Sequence, residues 1–123
     1  MPRDLGSEAA YDDVVLGVLV YEFAPRNVPE SDRRIRGRLR QRGLGAFDPT
    51  RIERLRRFKD ELQLEIHKAD ASPYFVGRRG RYCAAQDFDL PRLVRDMKSR
   101  YPRVRRRRID WFVPFCVFTY YVR

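Results

Sequence analysis

Apolar positions along this chain fall into stretches of two kinds. In one kind they recur every three or four residues; in the other they run on almost unbroken. Ile52, Leu55, Phe58, Leu62 and Ile66 belong to the first kind. At 100° per residue they occupy an arc of about 120°, the width of a core-facing helical stripe. Asp48-Pro49 supplies a cap and a first-turn proline, so a helix is expected from there to about Lys68, with Leu64 off the stripe. Leu62 to Ile66 also alternate, which would suit a strand after a helix ending near Asp60, but Glu, Leu, Gln and Lys favour the continuous helix.

Leu90, Leu93, Val94, Met97 and Tyr101 form a second helical stripe, capped by Asp89, with Pro91 in the first turn and Pro102 closing it. A third helix is expected from Ser31 to about Arg42, with Gly43 as its stop. Its apolar stripe is thin, essentially Ile35 and Leu39.

The unbroken stretches are Val14 to Phe23 and Ile109 to Val122. Both are rich in β-branched or aromatic residues and are expected to be strands covered on both faces. Read with period two, the second puts Ile109, Trp111, Val113, Phe115, Val117 and Tyr121 on one face. Phe112, Cys116, Phe118, Tyr120 and Val122 fall on the other. Between them, Pro73 to Gln86 has the form of a β-hairpin, turning at Gly77-Arg78-Arg79-Gly80.

Strand, helices, hairpin, helix and strand in that order predict an α+β ferredoxin-like sandwich, its antiparallel sheet covered by helices on one face. One domain spanning residues 1–123 is expected, with residues 1–11 loosely ordered. The last strand would lie at an edge, where Pro114 is tolerated. A long aromatic edge invites pairing, so a homodimer through Trp111, Phe112, Phe115, Phe118 and Tyr120 is expected.

Charge changes the picture. The net charge is +10, and Lys59, Lys68 and Lys98 are the only lysines, so the basic residues are overwhelmingly arginine. Residues 31–60 hold eleven basic against four acidic residues, and residues 91–123 ten against two. Arginine pairs bidentately with phosphate and stacks on rings, so two such blocks point to nucleic acid, RNA slightly ahead of DNA. The candidate contacts are Arg33, Arg36 and Arg40 on a helix, Arg78, Arg79, Arg81 and Tyr82 at the hairpin tip, and Arg105, Arg106, Arg107 and Arg108 before the last strand. Against the RNA-recognition motif, Arg79 to Phe88 keeps a basic-glycine start and one tyrosine. Arg81 intervenes and alanine replaces the second stacking aromatic, so membership is not inferred.

A small viral or ribosome-associated adaptor that meets acidic protein surfaces is the competing expectation. Asp60, Glu61, Glu65 and Lys68, with Asp87 and Asp89, could serve a metal-dependent nuclease, but i, i+4 surface charges explain them more simply. His67 suits an exposed polar position, and no catalytic residue, cofactor or metal is expected. Cys83 and Cys116, without ligand spacing, are expected to be buried reduced thiols of an intracellular protein, cytoplasmic or nuclear. No stretch is long enough to span a bilayer as a helix.

Overall fold

The computed structural model describes residues 5–78 and 80–122. Among them are five α-helices and no sheet, which overturns the ferredoxin-like expectation. The helices are α1 (Leu5–Leu19), α2 (Val28–Gln41), α3 (Pro49–His67), α4 (Leu90–Arg100) and α5 (Arg106–Val117). The chain divides into two compact units, Met1–Lys59 and Asp60–Arg123, with the boundary inside α3.

In the first unit, α1 starts within the stretch expected to be loose and takes in most of the run expected to be a strand. Tyr11, Val14, Val15, Leu16, Val18 and Leu19 are all buried, as in a helix that is apolar on nearly every side. Such a run fits a buried strand and a buried helix equally well by pattern. Continuous intrahelical hydrogen bonding satisfies each backbone group without a sheet partner.

Helix α2 presents Ser31, Ile35 and Leu39 to the interior. It begins three residues before the expected cap, so Ser31 lies inside it. It ends in a Schellman motif. Leu44 N–H donates to the Leu39 carbonyl at 3.0 Å, Gly43 N–H donates to that of Arg40 at 3.2 Å, and Gly43 takes φ +63°. Tyr11 then ties the following loop to α1, donating to the Ala46 carbonyl and accepting from Asp48 N–H, both at 3.0 Å. Helix α3 follows the expected course, with Asp48 Oδ1 accepting from Thr50 N–H at 3.1 Å. Ile52, Leu55, Phe58, Leu62 and Ile66 are buried and Leu64 is exposed.

In the second unit the expected hairpin is reduced to one antiparallel bridge, Phe75 to Phe88. Val76 N–H donates to Asp87 at 2.8 Å and Asp89 N–H to Tyr74 at 2.7 Å. Residues 81–86, expected as the second arm, form bends and the start of a 3-10 turn at Ala85–Asp87. Helix α4 is capped as expected, Asp89 Oδ1 accepting from Arg92 N–H, with Leu93, Val94 and Met97 buried.

The expected last strand is α5, continued by a π-helical turn over Phe118–Val122. It packs on α4 and buries Ile109, Phe112, Val113, Cys116 and Val117. Those positions step i, i+3, i+4, i+7, i+8, the spacing of an amphipathic helix. Pro114 removes one intrahelical donor, and the wider π turn follows four residues later. Among the described residues no helix is long and apolar enough to cross a membrane.

Candidate nucleic-acid interface

The buried stripe of α2 fixes which way its arginines point. With Ile35 and Leu39 inside, Arg33, Arg34, Arg36, Arg38, Arg40 and Arg42 are all exposed. Acids that could neutralise this row are scarce and already engaged. Glu30 Oε1 accepts from Arg34 at 3.0 Å. Asp32 Oδ1 accepts from Arg56 Nη2 at 2.7 Å. The Arg56 guanidinium also grips both oxygens of Glu22, at 2.9 and 3.0 Å.

Glu22 is almost wholly buried, and Lys59 Nζ donates to its backbone carbonyl at 2.7 Å. Burial alone would push the Glu22 carboxyl up. Hydrogen bonds from Arg56 and Ser31, with the charges of Arg56 and Lys59, outweigh that and hold it below the usual range. Arg56 is desolvated too, yet the same two carboxylates raise its affinity for its proton. Arg51 is likewise engaged, 2.9 Å from Asp12 Oδ1 and 4.0 Å above the Tyr11 ring.

The first unit therefore sorts its arginines. Arg51 and Arg56 face inward and take the acids. Of the row on α2, Arg36 lies 4.0 Å over the Phe47 ring, while Arg33, Arg38, Arg40 and Arg42 form no ion pair among the described residues.

Comparison of the chain with protein-family models, with curated proteins and with solved structures gives no match in any of the three.

In the second unit the arginines are more dispersed. Arg105 precedes α5 and Arg106, Arg107 and Arg108 form its first turn, with Arg106 Nε 3.2 Å from Asp110 Oδ1. Cations there oppose the helix dipole. At the other end of α5, Arg78 Nη2 donates to Cys83 Sγ at 3.2 Å, and its side-chain bond to Tyr121 raises the guanidinium's proton affinity. Fifteen residues of helix separate Arg106 from Tyr121, a rise of roughly 20 Å, so Arg78 and the α5 arginines do not form one patch. Arg81 lies 5.9 Å over the exposed Tyr82 ring, and Arg79 is outside the described residues.

Near Arg78, an open cleft of about 540 Å³ is lined by Ala69, Asp70, Phe75, Arg78 and Tyr121. The Tyr121 hydroxyl donates to buried Asp87 Oδ2 at 2.7 Å. Burial, followed by the bond to Asp87, pushes it up to about 12. Cys83 is only half-buried, unlike Cys116, and both are free thiols.

The expected dimer surface divides. Phe112 is a core residue, 0% exposed, and Tyr120 is half-buried and packs edge-on against His67 at 5.5 Å. Trp111 and Phe118 are about half exposed, at 50% and 53%. Trp111 and Phe115 stack nearly parallel, 5.6 Å between centroids and 8° apart.

The carboxylates weighed for a nuclease are dispersed among structural duties. Glu61 pairs with Arg100 at 3.0 Å and accepts from the Tyr101 hydroxyl at 3.1 Å. Glu65 accepts from Ser72, Asp87 from Tyr121, and Asp89 caps α4. No group of three potential metal ligands converges among the described residues.

Sequence reasoning named the outward arginines but missed Arg51, Arg56 and Lys59, the cations that engage the acids. The apolar run ending at Glu22 was the available signal, because a carboxylate closing a buried segment needs a cationic partner.

Proposed function

We propose that this chain binds nucleic acid, without a catalytic role, and that the α2 arginines are its principal phosphate contacts. The observation that carries this is the engagement of Asp32 by Arg56, which among the described residues leaves Glu30 as the acid paired with the row. Like charges one helical turn apart repel, so α2 bears an electrostatic strain that a polyanion relieves. Arginine's paired N–H groups match phosphate oxygens, and a row spaced by helical turns suits a ligand charged at every nucleotide.

Arg33, Arg36 and Arg40 are the central contacts, with Arg38 and Arg42 flanking them. Arg81 and the arginines opening α5 supply secondary ones. Arg78 is better understood as a tie between its loop and Tyr121. Among the described residues there is no sheet whose central strands could stack RNA bases, so RNA and DNA stand level.

The test is direct titration of labelled RNA and DNA oligonucleotides into the purified full chain at low and high salt. Binding that weakens steeply with salt is expected. Absence of binding to either at about 50 mM salt overturns the proposal and leaves an acidic protein partner as the alternative.

A further inference from the structure

The outer face of α5 combines charge and flat rings. Taking Arg107 as zero, the 100° helical step puts Trp111 at about 40°, Phe115 at about 80° and Phe118 at about 20°. The buried residues Ile109, Phe112, Val113, Cys116 and Val117 occupy the opposite arc. Arg107 is exposed and forms no ion pair among the described residues. Half of Trp111 and half of Phe118 are open to solvent, and the Trp111 and Phe115 rings stack on one another, 8° from parallel. Packing α5 along its buried face does not require Trp111 and Phe118 to stand half in water on the other.

We infer that this stripe is a stacking platform for single-stranded nucleic acid, with bases on Trp111, Phe115 and Phe118 and the backbone phosphates on Arg107. The inference rests on the nucleic-acid reading above and narrows it to unpaired strands. Bases inside a duplex keep their faces hidden, whereas those of a single strand are available to aromatic side chains. Charge favours a polyanion as the occupant: Arg107 stands on the stripe itself, and the segment around it, residues 91–123, carries ten basic and two acidic residues. The exposed apolar residues of this face, Trp111 and Phe118, are rings, while the aliphatic side chains Ile109, Val113 and Val117 are committed to the core, which favours stacking over insertion into lipid.

Trp111 is the only tryptophan, so its fluorescence reports on this face alone. The full chain is titrated with unlabelled twelve-nucleotide oligo(dT) and with a twelve-base-pair duplex. Labelled oligo(dT) then gives affinities for Trp111→Ala, Trp111→Phe and Phe118→Ala. Expected are saturable quenching by the single strand but not the duplex, about ten-fold weaker binding for each alanine variant, and near-native binding for Trp111→Phe. Both substituted positions are half exposed, and unchanged circular dichroism confirms that the variants fold.

Binding without quenching, or with unchanged affinity in the alanine variants, overturns the platform while sparing the α2 reading. No binding of either oligonucleotide overturns both. A tryptophan shift that tracks protein concentration, with a sedimenting mass of two chains, gives the face to a second copy. A shift on anionic phospholipid vesicles without quenching by oligo(dT) gives it to lipid.

Discussion

Arg56 Nη2 stands 2.7 Å from Asp32 Oδ1, and through that contact the interior of the first unit removes an acid from the arginine row of α2. Because the same guanidinium holds Glu22, one residue organises both the buried charge and the exposed imbalance. Replacing Arg56 with alanine would take the bidentate partner from a buried carboxylate and leave Lys59, 3.8 Å away, as its remaining cation, with an expected cost of about 3 kcal/mol. Arg34→Ala breaks only the exposed pair with Glu30 and should change stability by no more than about 0.5 kcal/mol. Urea denaturation of the two variants measures the difference. Equal effects would show that Arg56 is not the hub described.

Glu22 predicts a pH dependence. Its folded carboxyl is held below the ordinary value of 4.5. Its stabilising contribution is therefore full above that value and is lost as pH falls through the folded value. The stability gap between wild type and Glu22→Gln should be constant near neutrality and close under acid. A gap that widens on acidification contradicts the assignment.

The two sides of α5 should respond differently. Phe112→Ala empties a fully buried site and is expected to cost about 3–5 kcal/mol. Phe118→Ala is expected to cost under about 1 kcal/mol, since half the ring is already in water. In an extended strand, residues 112 and 118 share a face and would pay alike. Thermal or urea denaturation of both variants therefore tests the helical register.

That pair also shows where the sequence was legible. Helices α3 and α4 were readable because their apolar residues keep to one stripe and aspartate with proline marks each start. Helix α2 was readable to within a few residues from its thin stripe and Gly43. Helices α1 and α5 were not. In α1 nearly every position from Val14 to Leu19 is apolar, which erases any period. In α5 the helical spacing of Ile109, Phe112, Val113, Cys116 and Val117 was present. It was hidden by Trp111, Phe115 and Phe118 on the outer face and by Pro114, which suggested a sheet edge. The arginine rows were visible in sequence; their partners were not, since Glu22, Asp32 and Arg56 meet only through folding.

The central claim is that the α2 arginines hold phosphates, and counterion release measures this most directly. Affinity for one oligonucleotide is followed across a salt series for wild type and for Arg33→Ala/Arg36→Ala/Arg40→Ala. Each lost phosphate contact should flatten the logarithmic slope by about 0.7 on a single strand or about 0.9 on a duplex, so the triple variant should lose roughly two to three units. An unchanged slope would place the phosphates elsewhere and contradict the account.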